Sequence, residues 1–384
     1  MGALLVSSRC MKNNCNQGGP NMQDYTRDAG RVNVQECDLF VGLDVDKSSM
    51  SVSVRDKEAI IKSVTMPYDS RNLLSFIDNS YVGKRVAFAY EAGPTGFGLY
   101  DAIAGAGHDC LVVSPGSVPD APNNRVKTNR LDAKKLANLL GGGQLKGIRV
   151  PSEPIRQLRS LVHLRYVYMQ DIRAYKCRIK AELLKEWIPF PKAPKGSQWS
   201  SSVIAALRNL DCSAVTDWKI NSILDHLEHL SRQMHLAEVS LKSLVNGNED
   251  LKRSVGYLMS CPGIGWRIAC YTLARIGDWR CLGVSKEAGA FFGLVPRENS
   301  TGDRTDRGSI TKCGDPRLRS MLIQGAWAAI RKDDELKAFY ERICASHPKR
   351  LAARVAIVAV ARKLAERMHC VLRQQRRYEM RAAA

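Results

Sequence analysis

The spacing of apolar and polar positions changes character along the chain, and each change predicts a different kind of structure. Residues 1–36 are rich in Asn, Gln, Gly and Ser with no apolar periodicity. They predict a flexible leader without a packed core, or a start codon set too far upstream. From Cys37 the pattern becomes short β-type runs: Asp38-Leu39-Phe40-Val41-Gly42-Leu43-Asp44-Val45, Met50-Ser51-Val52-Ser53-Val54-Arg55 and Ala59-Ile60-Ile61-Lys62-Ser63-Val64. Asp-Lys-Ser and Asp-Lys-Glu turns separate them, which predicts an antiparallel meander. Asn72–Ser80 reads as a short helix, Arg85–Tyr90 as a buried strand followed by the Gly93-Pro94-Thr95-Gly96 loop, Leu99–Ala106 as a helix and Cys110–Val113 as a strand. A meander continuing as β-α-β units predicts an α/β domain with a mixed sheet over residues 37–150, its functional residues at strand ends.

Residues 114–130 are loop-like, with Pro115, Pro119 and Pro122 among Arg125, Lys127 and Arg130. Leu131–Leu140 regains helical spacing. Pro151–Trp187 is a long amphipathic stretch, with Leu158, Leu161, Leu164, Val167, Ile172 and Ile179 on one side and Arg and Lys interspersed. Its heptad-like spacing predicts a coiled-coil-like helical middle over residues 151–250, either a partner or nucleic-acid face or a solvated basic helix. Pro189, Pro191 and Pro194 end the first helix; a pair at Ser202–Leu210 and Thr216–Leu244 follows, the second member antiparallel to the first long helix.

Residues 251–384 predict a mainly α C-terminal domain with helices at Ile268–Ile276, Lys286–Phe292, Pro316–Ile330 and Arg350–Tyr378. Pro262-Gly263-Ile264-Gly265 resembles the turn of a helix-hairpin-helix, whose free amides can bind a DNA phosphate. A plain helix-breaking turn fits the same residues. Residues 293–312 read as a polar loop dense in Gly and Arg.

Charge narrows the possible partners. The chain has 58 Lys and Arg against 38 Asp and Glu, a net +20 with pI near 9.6, stronger than solubility requires and expected for a polyanion partner, nucleic acid above all. No run approaches the roughly 18 apolar residues that cross a bilayer, which predicts a cytoplasmic protein with no membrane partner. The 12 cysteines contain no CxxC pair, which predicts scattered thiols in a reducing compartment rather than disulfides or zinc.

Two groups of residues carry candidate chemistry. Asp44 and Glu91 end apolar β-type runs, and Asp132 lies in the first turn of a helix, where a carboxylate also serves as a capping or dipole residue. Carboxylates at the mouths of hydrophobic strands call for a cation, and Mg²⁺ suits carboxylate oxygens plus substrate phosphates. In the 293–312 loop Ser300 lies among Arg297, Arg304 and Arg307. Arginine forks can hold a phosphodiester while a serine oxygen attacks phosphorus. Composition alone equally describes a phosphate-binding loop with no covalent chemistry, and Thr301 and Ser309 compete with Ser300.

Gly42-Leu43-Asp44-Val45, Tyr90-Glu91-Ala92, Lys127-Thr128-x-Arg130-x-Asp132-Ala133, Pro262-Gly263-Ile264-Gly265, Gly293-Leu294-Val295-Pro296, Ser300-Thr301-Gly302 and Gly308-x-Ile310-Thr311-Lys312-x-Gly314 occur in that order. Together they resemble the DEDD transposases of bacterial insertion sequences, over about residues 38–370. The resemblance implies a ribonuclease-H-like (RuvC-like) N-terminal domain in which Asp44, Glu91 and Asp132 ligate Mg²⁺. It implies a C-terminal domain whose Ser300 is the nucleophile, forming a covalent phosphoserine link to DNA. It further implies a structured guide RNA, the bridge RNA, that selects donor and target DNA by base pairing, and a homo-oligomer, a dimer or tetramer, that brings metal site and serine together. Arg125, Lys127, Arg130, Gly263, Gly265, Arg297, Arg304, Arg307 and Lys312 are the candidate nucleic-acid contacts.

One position departs from the family pattern. Asn129 stands where the third acidic residue is expected; its carbonyl can reach a metal but brings no charge. Besides an RNA-guided recombinase, the chain therefore fits a nucleic-acid-binding protein whose nuclease site has decayed. It also fits a junction nuclease that uses water, with Ser300 only binding phosphate.

Overall fold

The computed structural model describes residues 32–119, 128–193, 198–298 and 307–380. Within them the chain forms two units, Met1–Val150 and Pro151–Ala384. Most of the expected leader, residues 1–31, lies outside the described residues, but 32–36 are already structured. Val34–Glu36 form a short 3₁₀ turn capped by Asn33, and Val32 and Val34 pack on the core that contains Phe40 and Leu140. The folded domain thus begins ahead of Cys37, because Val32 before the turn and Val34 within it are apolar and find the core.

In the first unit the expected meander is formed by β1 (Leu39–Val45), β2 (Ser49–Arg55) and β3 (Ile60–Pro67). After α1 (Ser70–Ser80) come β4 (Val86–Glu91), α2 (Gly98–Gly105), β5 (Asp109–Val113) and α3 (Asn129–Gly141). The sheet order is β3-β2-β1-β4-β5. The meander pairs antiparallel, and β4 and β5 join parallel. This mixed sheet is consistent with the ribonuclease-H-like domain expected from sequence.

Both faces of the central strands are covered, so their apolar runs do not alternate with polar residues. Val41, Leu43, Phe88 and Tyr90 pack with Leu73 and Ile77 of α1 and Leu99 and Ile103 of α2. Phe40, Ala87 and Ala89 face the other way, against Leu136 and Leu140 of α3.

Helix α3 lies unusually close to the sheet. A Cβ on Gly42 would sit 2.1 Å from the Ala133 carbonyl oxygen and 2.4 Å from the Ala137 nitrogen. The residues beside Gly42 are small as well: it pairs with Ser53, and Asp44 with Ser51, both serines being buried. The Ser53 and Ser63 hydroxyls satisfy each other at 3.0 Å. Small residues on three strands form the trough in which the backbone of α3 rests.

The second unit is mostly helical. Helix α4 (Glu153–Lys185) runs antiparallel to α6 (Ala214–Gly247): Arg165 bonds Glu238, Tyr175 stacks on His226 and Glu182 meets Lys219. Their seam is apolar at both ends. Ile172, Ile179, Leu183, Ile220, Leu224 and Leu227 form a separate small core with Val203 and Leu207 of α5 (Ser201–Arg208). At the other end Leu158, Val162, Leu241 and Val245 join the main helical core.

Between these ends the seam is ionic, with Glu238 accepting from Arg165 at 2.6 Å and from Arg267 at 3.0 Å. Burial would raise the Glu238 carboxyl, but the two guanidinium groups outweigh it and hold it below the usual carboxylate range. A partly buried charge so paired fixes the register of the two long helices.

The main core comprises α7 (Glu249–Met259), α8 (Trp266–Ile276), α9 (Ser285–Phe291), α10 (Pro316–Ala329), α11 (Asp334–Ala345) and α12 (Lys349–Gln374). Helix α11 falls where the sequence reading placed none, and α7 is the helix expected ahead of the Pro262–Gly265 turn, for which the reading gave no bounds. Their starts are set by side-chain caps, Asn248 onto Leu251 and Asp333 onto Leu336. The last helix ends at Gln374 rather than Tyr378, because Gln375 turns left-handed (φ 50). Tyr378 is then tied by its N–H to Ser260 Oγ at 2.7 Å and by its hydroxyl to Asp333 at 3.0 Å. The 293–312 stretch is bounded by paired strands, β6 (Pro296–Glu298) and β7 (Arg307–Ile310), instead of being loop throughout. All ten described cysteines are free thiols, as expected, and burial pushes Cys261 and Cys270 up to about 12.

The trough yields a prediction. Gly42→Ala forces the α3 backbone off the sheet and should lower stability by roughly 1–3 kcal/mol, measured as a lower midpoint in denaturant unfolding of the full chain.

Candidate active site

The close approach of α3 decides where the acids go. Phe40 and Gly42 face α3, so Asp44, two residues further on, shares that face. Ala87 and Ala89 do the same on β4 and put Glu91 on it too. Leu43 pairs with Tyr90 in the parallel register, which places Asp44 and Glu91 side by side at the strand ends.

The first turn of α3 supplies Asn129 and Asp132, three residues apart and one turn ahead of Ala133 and Leu136. Thr128 is the cap of this helix, its hydroxyl accepting from the Leu131 N–H at 3.3 Å. Asp132 is therefore not engaged as the cap. Asp44 and Asp132 are half-buried, whereas Glu91 and Asn129 are exposed. Asp46, also exposed, accepts the Lys47 N–H at 2.7 Å in the β1–β2 turn.

Three carboxylates and an amide at this end of the sheet and helix offer hard oxygens, the donor type that divalent cations prefer. Among the described residues no three Asp, Glu, His or Cys side chains are gathered closely enough to hold a metal. The rim therefore positions ligands on one face without closing them into a cage.

The candidate nucleic-acid contacts are dispersed. Arg130 is exposed and reaches the Ser63 carbonyl at 3.5 Å. Arg125 and Lys127 lie outside the described residues, as do Ser300, Thr301 and Arg304. Arg307 is placed as part of β7. Arg297 is exposed on β6, and Lys312 is exposed in a left-handed turn (φ 57).

The Pro262–Gly265 turn joins α7 to α8, and its two glycines differ. Gly263 (φ +76) has no room for a Cβ, which would lie 2.1 Å from the Gly325 carbonyl oxygen of α10. Its need for glycine is explained by helix packing. Gly265, exposed, leaves the start of α8 without a side-chain cap, so it is the member of the pair able to present free amides.

The charge is unevenly divided. Pro151–Ala384 holds 40 of the 58 Lys and Arg but 23 of the 38 Asp and Glu, a net +17, leaving +3 for Met1–Val150. The attraction for a polyanion resides in the helical unit, while the unit bearing the acids is nearly neutral.

One residue escaped the sequence reading. Arg319, 9% exposed inside α10, donates to the Phe292 carbonyl at 3.0 Å and the Cys313 carbonyl at 2.7 Å. The available signal was a charged residue between the apolar positions Leu318 and Leu322.

Comparison with known proteins agrees with this layout. A DEDD transposase model of the IS110 type matches residues 41–189, and a model described as the IS116/IS110/IS902 transposase family matches residues 255–341. The chain is 29% identical over 375 residues to a protein named as a transposase, y4qE, of Sinorhizobium fredii (strain NBRC 101917 / NGR234), covering 90% of this chain and 92% of that one. It is 24% identical over 307 residues to the transposase for insertion sequence element IS1533 of Leptospira borgpetersenii, covering 75% and 84%. It is 26% identical over 288 residues to the transposase for insertion sequence element IS1111A of Coxiella burnetii (strain RSA 493 / Nine Mile phase I), covering 73% and 75%. The acidic rim falls within one matched segment, and the β6–β7 hairpin with Arg319 within the other. The chain belongs to the DEDD transposase family of insertion sequences, and is a DNA transposase.

Proposed function

We propose that the chain breaks and rejoins DNA through a transient phosphoserine link at Ser300, under the direction of a structured bridge RNA, as a homo-oligomer. Asp44, Glu91, Asn129 and Asp132 would hold Mg²⁺, which when bound neutralises charge on the phosphate oxygens. The observation that supports this reading is the placement of Asp44 and Glu91 at the ends of two neighbouring parallel strands, on the face that α3 covers, with Asn129 and Asp132 in the first turn of α3.

In the proposed exchange the Ser300 oxygen forms a bond to phosphorus, loses its proton, and displaces a DNA hydroxyl that takes a proton. The reverse attack by another DNA hydroxyl restores both serine and diester. One P–O bond forms for each that breaks, so rejoining needs no external energy source. Arg297 and Lys312, exposed on the limbs of the hairpin, supply cations for the diester. The +17 of the helical unit supports binding of nucleic-acid backbones, while base pairing by the RNA would supply sequence choice.

Denaturing gels of the full chain reacted with the element's own DNA ends and copurifying RNA test this. The wild type should leave a DNA–protein adduct, and Ser300→Ala should remove it along with recombination. Normal recombination by Ser300→Ala would sink the serine mechanism and favour a water-using nuclease.

The second reading, a weakened metal site, is favoured by the uncharged Asn129 at a rim that is not closed into a cage. Asn129→Asp adds the missing charge. On this reading recombination should rise about tenfold or more at low Mg²⁺, in the range of a 10–100-fold metal-site effect. An unchanged Mg²⁺ dependence would mean that the amide is an adequate ligand.

A further inference from the structure

The geometry points to Arg319 as the positioning residue that clamps together the two limbs of the hairpin carrying Ser300. This rests on the proposed role of Ser300, but the clamp itself stands on described residues. Phe292 closes α9 and Cys313 precedes the turn into α10, 21 positions apart in the chain. Arg319 donates to both of their carbonyls. Both bonds leave one nitrogen, Nη1, whose two N–H directions are fixed in the guanidinium plane, so it sets the separation of the two strands of backbone more rigidly than a freely rotating ammonium would.

The surrounding residues are shaped to this approach. A Cβ on Gly293 would fall 2.3 Å from the Cys313 carbonyl oxygen and 2.8 Å from Arg319 Nη1, and one on Gly314 would fall 2.4 Å from the Phe291 carbonyl oxygen. Both glycines have positive φ, 66 and 69. Further along the hairpin, the Lys312 N–H bonds the Gly293 carbonyl at 3.3 Å and the Thr311 N–H bonds the Val295 carbonyl at 2.9 Å. These lead into the β6–β7 pairs Pro296 with Ile310 and Glu298 with Arg307.

Among the described residues the partners of this buried guanidinium are carbonyls, not carboxylates. In a buried ion pair, replacing the arginine alone would leave its carboxylate charged and unpaired, a general loss of stability. Here the same replacement removes the side-chain tie at the base of two limbs that are otherwise joined only by their backbone ladder. Nucleophilic displacement at phosphorus depends steeply on alignment, since a misplacement of about 1 Å can cost about 100-fold. The clamp therefore acts on the rate of serine attack through the limbs, without touching the DNA.

The test uses the full chain with its copurifying RNA and the element's DNA ends. Arg319→Met keeps the volume and removes both hydrogen bonds; Arg319→Lys keeps the charge but replaces the fixed planar donor with a rotating ammonium on a flexible stem. With Arg319→Met, adduct formation at saturating DNA should slow about 100-fold, while DNA affinity stays within about threefold, the split expected when an interaction is made only at the transition state. Arg319→Lys should recover part of the rate. Hydrogen exchange at the Thr311 and Lys312 amides should quicken in Arg319→Met while the amides of α12 keep wild-type protection.

Faster exchange at those amides with an unchanged adduct rate would overturn the positioning role. Unchanged exchange would overturn the clamp. Uniform loss of protection, α12 included, would make Arg319 a general stability residue and overturn the proposal too. Failure of the Ser300 reading is distinguishable, because it appears as an adduct that survives Ser300→Ala, while the exchange result still reports on the clamp.

Discussion

At Gly42 helix α3 meets the sheet with its backbone, because Gly42 offers no Cβ where Ala133 and Ala137 pass. Everything at the acidic rim follows from that approach. Asp44 is two residues beyond Gly42 on the same face of β1, and Asn129 and Asp132 are one turn before Ala133 and Leu136 respectively on α3. Any side chain at position 42 would lift the helix and separate the acids contributed by the helix from those contributed by the strands. Ser51 and Ser53, buried beneath the same helix, are part of this constraint: larger residues there would fill the trough.

The helical unit repeats the device. Gly263 lets the α7–α8 turn rest against the Gly325 backbone of α10, and Gly293 and Gly314 bring the hairpin limbs against their neighbours. In each case a glycine in a sequence motif permits contact between backbones, and the chemistry is carried by other residues. The long α4–α6 pair follows a different rule, in which leucine and isoleucine layers give stability and the Arg165–Glu238–Arg267 layer fixes register. The concentration of positive charge in this unit leaves the acid-bearing unit close to neutral.

Much of this was legible in the residues. Continuous apolar runs gave β1 and β4, and heptad spacing gave α4 and α6 in their antiparallel sense. The order of short motifs led to the family. What periodicity could not supply was set by contacts distant in sequence or by single caps. The start of α7 and the whole of α11 are announced by single caps, Asn248 and Asp333. The ordering of residues 32–36 depends on Val32 and Val34 finding a core built more than 100 residues later. Gly263 read as a phosphate-binding residue, yet its conformation is accounted for by packing on α10. Arg319 gave no motif at all, since its partners are main-chain carbonyls, which a residue pattern does not display.

The central claim is that the trough under α3 assembles one divalent-metal site from Asp44, Glu91, Asn129 and Asp132. Titration of the full chain with Mn²⁺, followed by electron paramagnetic resonance, tests it without any DNA chemistry. The account predicts one bound ion per chain, lost in Asp44→Asn and in Asp132→Asn and retained in Ser300→Ala. Undiminished Mn²⁺ binding in both acid variants would contradict it.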